Sequence, residues 1–368
     1  MTDITEKHKN ILDQVAKARK ELKTDHYNMS VGEIINVYNE KEMSLNPAYQ
    51  RLYRWKDKQK TDFIESLIIG IPIPPIFVAQ KQDGTWDVVD GVQRLSTILE
   101  LTGNLQHDGK KPLKLETCKY IPSLDGETWE TIPADIQRII KRAKLTINII
   151  LTENSIQSQY EVFQRLNTGG VHLSNQELRN CLIIMLNKDF YNEINKFKKD
   201  EVFVKLTPIS EKKEEEKERM EFILRYLIAR YNSNCFNNYS ISQIHVRDFI
   251  DKETIKLIEN KDFNLSNSLE EFKASLELLD KLLGEQAFKK YDNETKKYTN
   301  AFSTQMYEVI LPGLSKNLDR YKNITADKIK SIIGTIYKDE VYKNITEPGT
   351  KALNRYKLLT ELSFKYFK

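Results

Sequence analysis

Residues 86–103, WDVVDGVQRLSTILELTG, change their period halfway. Trp86 and Val88 alternate as in a strand. Past Asp90-Gly91, Leu95, Ile98 and Leu99 recur at helical spacing, and Gly103 ends the run. A strand is therefore expected to pass directly into a helix at Asp90-Gly91. Just upstream, IFVAQKQDGTW (76–86) supplies a partner strand. Ile76 and Val78 alternate there, and Asp83-Gly84 marks the turn of a hairpin.

Working outward toward the N-terminus, Ile11, Val15, Ala18 and Leu22 fit an amphipathic helix over 9–24. SVGEIINVYNE (30–40) reads as a short helix, with Ser30 and Glu33 spaced as a capping box. LNPAYQRLYRW (45–55) has no clean period and is expected to be a short strand and a loop. Asp57 is the expected cap of a helix whose apolar face is Phe63, Ile64, Leu67 and Ile68. Gly70 and Pro72 stop that helix, and Pro74-Pro75 keep the following segment extended.

Toward the C-terminus, AKLTINIILT (143–152) is a further strand and SIQSQYEVFQRLNTGG (155–170) a helix ending on two glycines. LSNQELRNCLIIML (173–186) starts another helix, with Ser174 and Glu177 at capping-box spacing. From about residue 190 the pattern is mainly helical. The expected class is α+β: a small mixed sheet with helices, then a mainly helical region. The expected division is 1–155, a nucleotide-binding α/β part, and 156–368, helices packed against it.

Composition bounds the function. The 368 residues are 40% apolar and 30% charged, enough for a sizeable core. The net charge of +4, from 57 basic and 53 acidic residues, does not by itself indicate nucleic acid. Cys118, Cys181 and Cys235 lie far apart with no CxxC pair, which argues against a zinc knuckle and a disulfide scaffold. There is no apolar signal segment at the N-terminus and no run long enough to span a membrane. A cytoplasmic protein is the expectation.

The chemistry concentrates at three places. At the strand–helix turn, Gly91 permits a tight turn, and the first N–H groups of the helix suit a phosphate or carboxylate. Arg94 offers a planar fork for phosphate oxygens. Ser96 and Thr97 add hydroxyls, and Gln93 can bond a base, a sugar or a neighbouring loop. Asp90 can hold Arg94 or orient a water. The same residues also fit a plain helix start, with Asp90 as cap and Arg94 paired to Glu100 or another carboxylate. The turn is neither a GxxxxGK[ST] loop nor a GxGxxG. In AYQRLYRW (48–55), Arg51 and Tyr53 sit among aromatics, which suits a nucleotide surface or a core edge with outward arginines. In EVFQRLNTGG (161–170), Arg165, Asn167 and Thr168 crowd a Gly-Gly turn that can close over a phosphate or serve as a helix–turn–helix corner.

Three of these stretches, YQRLYRW (49–55), VVDGVQRLSTI (88–98) and VFQRLNTGGVHLSNQELRN (162–180), resemble in order and spacing the N-terminal domain family of GmrSD-type restriction systems, part of the ParB/sulfiredoxin-like group. That family usually has Asp-Gly-Gln-Gln-Arg, where this chain has Val92 at the third position. The resemblance implies a ParB/sulfiredoxin-like sheet and nucleoside triphosphate binding. It implies hydrolysis coupled to DNA restriction or phage defence; with that, the chemistry of the turn makes Asp90 and Arg94 the expected catalytic residues. Arg51, Tyr53, Gly91, Gln93, Arg94, Ser96, Thr97, Arg165, Asn167 and Thr168 would bind the nucleotide. Mg²⁺ would arrive with the triphosphate; no carboxylate pair identifies a metal site. DNA and a separate nuclease subunit are implied partners. Many relatives carry an HNH nuclease tail, and none of His8, His26, His107, His172 or His245 lies in such a pattern. A metal-dependent DNA endonuclease, a non-catalytic DNA-binding or defence adaptor, and a phosphotransferase are the rival expectations.

Overall fold

A computed structural model describes residues 2–21, 24–45, 55–105, 112–151, 160–161, 175–210, 218–241, 243–292, 297–347 and 349–368. The chain divides into two compact units, Met1–His172 and Leu173–Lys368.

In the first unit the order is α1 (Thr2–Glu21), β1 (Thr24–Ser30), α2 (Val31–Asn39), β2 (Met43–Ser44), α3 (Asp57–Ile69), β3 (Ile76–Gln80), β4 (Trp86–Asp90), α4 (Val92–Leu101), α5 (Ala134–Arg142) and β5 (Lys144–Ile150). The strands form one mixed sheet in the order β1-β5-β3-β4-β2. β3 lies between β5, parallel to it, and β4, antiparallel to it. Its residues Ile76 to Ala79 are all buried, the near-continuous apolar run of a central strand.

The hairpin forms as the alternation requires, though its loop is longer than Asp83-Gly84 alone. The Lys81 N–H bonds to the Thr85 carbonyl at 2.8 Å. Ser30 Oγ accepts the Glu33 N–H at 3.2 Å, so half of the expected capping box is made. The Glu33 carboxylate accepts instead from the Tyr27 hydroxyl. Asp57 is the first helical residue of α3 rather than its cap. The position before it, Lys56, donates its backbone N–H to Gln59 Oε1 at 2.9 Å, and the Asp57 carboxylate pairs with Lys60 at 2.9 Å.

β1 lacks any apolar alternation in TDHYNMS. It is an edge strand whose residues 25–28 are exposed, and its place comes from antiparallel pairing with β5.

α3 organises the segment after α4. Buried Glu65 accepts backbone N–H groups from Lys119, Tyr120 and Ile121 at 3.1, 2.6 and 2.7 Å. A carboxylate receiving several N–H bonds inside the fold fixes a loop that has no regular structure of its own.

The second unit comprises α6 (Asn175–Leu186), α7 (Lys188–Phe197), α8 (Glu201–Leu206), α9 (Glu218–Tyr231), α10 (Val246–Glu259), α11 (Leu265–Leu283), β6 (Lys289–Asp292), β7 (Lys297–Phe302), α12 (Thr304–Lys316), α13 (Leu318–Tyr321), α14 (Ala326–Lys338), α15 (Glu340–Thr346) and α16 (Ala352–Tyr366). The β6–β7 hairpin interrupts what the sequence presents as helices throughout. Aromatic rings fill the core, with Phe272 stacked on Tyr226 at 4.1 Å between centroids. α12 approaches α16 closely at Gly313, whose N–H donates to Ser363 Oγ at 2.8 Å. A Cβ at 313 would overlap the Ser363 carbonyl. The expected class, α+β with a mainly helical second part, holds. Among the described residues no helix is long and apolar enough to cross a membrane.

Candidate functional site at the Asp90–Arg94 turn

Two local irregularities build the turn. The β3–β4 register slips between Phe77 and Val78: Phe77 faces Asp90, while Val78 faces Val88. The extra residue is Val89, and such a bulge re-aims the end of its strand. Gly91 then takes the left-handed conformation, φ 90°, and serves as the N-cap of α4. A Cβ at that position would run into the Ile76 side chain and lie 3.3 Å from Arg94 Nη2. The helix begins with no side-chain cap and no acidic residue in its first turn. Its N-terminal end therefore keeps the positive character of a helix start.

Arg94 is fixed, not loose. Its Nη1 donates to the Pro74 carbonyl and, at 3.1 Å, to the Pro75 carbonyl. Its Nη2 meets Asp90 Oδ2 at 3.0 Å. Successive prolines hold their backbone rigidly, so the two carbonyls form a preset acceptor pair. The Arg94 side chain is only 12% exposed, whereas Asp90 is 44% exposed. Burial lowers the guanidinium pKa and the Asp90 carboxylate opposes that shift. Three of the five guanidinium N–H donors are taken among the described residues.

The neighbouring predicted residues have defined places. Gln93 Oε1 accepts the Trp55 N–H at 2.9 Å, so this side chain ties the segment before α3 to the turn. The Thr97 hydroxyl is buried and donates back to the Gln93 carbonyl at 2.7 Å. Ser96 Oγ is buried and has no hydrogen-bond partner among the described residues. Glu100 pairs with Lys60 of α3 at 2.9 Å and not with Arg94. The turn thus brings together Asp90, Gly91, Gln93, Arg94, Ser96 and Thr97. Arg51, Tyr53, Arg165, Asn167 and Thr168 lie outside the described residues, as do His172 and the expected cap Ser174.

A second polar cluster, unforeseen in the sequence, lies within the second unit. Arg179 of α6 is fully buried. Its Nε donates to Asp251 of α10 at 2.5 Å, and its Nη1 to Gln176 and, at 3.2 Å, to Glu221 of α9. Glu221 also holds Arg225 at 2.7 Å, and Arg225 reaches Glu308 of α12 at 2.8 Å. The result is an alternating ladder, Asp251–Arg179–Glu221–Arg225–Glu308, across four helices. Burial alone would raise Glu221, but Arg225 and Arg179 outweigh it and hold it at about 2. Burial pushes Glu308 upward against Arg225. Glu253 is buried within α10. It accepts from Asn232, Tyr239 and Lys256. Glu253 stands in the apolar stripe Ile250–Leu257, and Arg179 and Asn180 interrupt a buried apolar run. An ion inside a core-facing stripe was the available signal.

Among the described residues no group of three or more His, Cys, Asp or Glu side chains is placed to hold a metal ion. Residues 31–184 match the family described as GmrSD restriction endonuclease, N-terminal domain. The chain therefore contains a domain of that family, which links it to GmrSD-type restriction systems. No curated protein and no solved structure matches the chain.

Proposed function

We propose, from the premise that residues 31–184 are a GmrSD-type N-terminal domain, that this chain is the nucleoside triphosphate-binding and hydrolysing module of a DNA restriction or phage-defence system. The observation that carries the proposal is the uncapped start of α4 beside a guanidinium held by two proline carbonyls. A helix N-terminus with a pre-oriented arginine favours a phosphate, since the ligand does not have to order the donors.

In this reading the N–H groups at the start of α4 and the remaining donors of Arg94 bind phosphate oxygens. Gly91 supplies the left-handed conformation that lets α4 start directly after β4, beside Arg94. Asp90, the more exposed member of the pair, orients the attacking water and keeps Arg94 aimed. The resemblance adds Arg51, Tyr53, Arg165, Asn167 and Thr168 to the nucleotide contacts. Mg²⁺ would neutralise charge on the triphosphate, and Asp90 is the carboxylate of the turn that would hold it.

The test is phosphate release from ATP, GTP, CTP and UTP with Mg²⁺, with and without DNA, for the wild type, Arg94→Lys and Arg94→Ala. Turnover is expected in the wild type. It should fall by about 10²-fold or more in both variants, because transition-state charge loses its positioned donor. Unfolding midpoints recorded on the same samples separate lost chemistry from lost fold. Absence of turnover and of nucleotide binding for all four triphosphates would overturn the proposal. DNA cleavage without any triphosphate would replace it with the metal-dependent endonuclease reading.

A further inference from the structure

α1 is a 20-residue helix whose residues 6–19 are exposed throughout. Its apolar residues are no exception: Ile11 is 47% exposed, Leu12 68% and Val15 44%. Helices in proteins owe most of their stability to burying an apolar face. The apolar positions are not scattered. His8, Ile11, Val15 and Ala18 follow spacings of three, four and three, the seam of a coiled coil. Leu12 flanks that seam, and the opposite face carries Glu6, Lys9, Asp13 and Lys17.

We propose that α1 is a self-association surface, pairing antiparallel with α1 of a second copy of this chain. Three features favour this occupant. First, the antiparallel register sets His8 against Ala18 of the second copy and Ile11 against its Val15. Both of these layers then join a larger residue with a smaller one, which is how packed layers fill evenly. A parallel register would set His8 on His8 and leave a gap at Ala18 on Ala18. Second, the antiparallel register brings Lys7 to residue 21 of the second copy, a glutamate, and does so twice by symmetry. The parallel register offers Lys7 only Leu12, and Gln14 only Arg19. Third, α1 ends at Glu21 and β1 starts at Thr24. Antiparallel pairing sends the two copies away at opposite ends of a helix about 30 Å long, so the sheets do not compete for space.

Sedimentation of the full chain tests this at concentrations up to about 200 µM, where an association of about −5 kcal/mol is visible. A two-chain species is expected at the upper end. Ile11→Glu and Leu12→Glu should each weaken it at least tenfold, with unchanged circular dichroism and unfolding midpoint, since both side chains are already exposed. Cysteine chains fix the orientation, because Cys118, Cys181 and Cys235 are buried. An Ile11→Cys chain mixed with a Val15→Cys chain should form a mixed disulfide faster than either does with itself. A single-chain species at every concentration would overturn the proposal. So would a dimer indifferent to both glutamate substitutions, or a Val15→Cys chain that links only to itself.

Discussion

Arg94 and Arg179 both belong to motifs of the same family domain, yet the fold uses them in opposite ways. Arg94 stands in the first turn of α4, just past the end of β4, aimed by two neutral carbonyls and one carboxylate that is 44% exposed. Arg179 has no exposed surface and lies between two carboxylates, Asp251 and Glu221. An arginine positioned by carbonyls retains its positive charge for something outside itself. One enclosed by carboxylates has spent that charge on holding helices together. One family domain therefore holds arginines in two different settings, and their side-chain partners tell them apart.

Removing the guanidinium from the enclosed site sharpens this contrast most. Arg179→Met should destabilise the second unit by about 3–5 kcal/mol, because buried Asp251 would lose its cation and half-buried Glu221 would keep only Arg225. Chemical denaturation measures the loss. A cost under about 1 kcal/mol would put Arg179 in the same class as an exposed ion pair and dissolve the comparison.

At the other site the backbone, not the ion pair, should dominate. Gly91→Ala has to adopt φ 90° and also displace the Ile76 side chain. A cost of about 1–3 kcal/mol is expected for such strain. The same measurement applies, and a neutral Gly91→Ala would show that the turn relaxes readily and is no preset ligand cradle.

The smallest effect is on pH dependence. Glu221 is held at about 2, below the ordinary carboxylate value of 4.5. Its stabilising contribution is therefore complete above about 4.5 and is lost as pH falls from there toward 2. Glu308 is shifted the other way by burial, so it takes up a proton before Glu221 does. Glu221→Gln should flatten the acid limb of the stability–pH curve for the second unit. An acid limb identical to that of the wild type would assign the sensitivity to other carboxylates.

Much of the first unit is legible along the chain. The period change at Asp90-Gly91 marks β4 and α4, and the alternation at Ile76–Val78 marks β3. Gly70 closes α3 in the left-handed conformation expected of a terminating glycine. β1 escapes notice because residues 25–28 are exposed on both faces of this edge strand, so no alternation marks it. Its partner β5 supplies the pairing. At the candidate site, the clustering of Asp90, Gln93 and Arg94 was readable. Their partners were not, since Pro74, Pro75 and Trp55 lie 19 to 38 positions away. The family match ends at residue 184, inside α6 and within the second unit. Arg179 and its partner Asp251 therefore fall on opposite sides of the matched stretch's end, and motif reading alone could not join them.

The sequence by itself determined the periodic elements, the glycine that the strand–helix turn demands, and the short motifs that carry the family resemblance. These are local: they depend on φ preferences and on which residues can share one face of a helix or strand. Only the tertiary structure decided which arginine is held by proline carbonyls at the strand–helix turn and which is locked between carboxylates in the core. That choice depends on burial and on partners brought from distant segments. An arginine's charge is stabilised by whatever surrounds it, and its surroundings do not exist until the chain has folded.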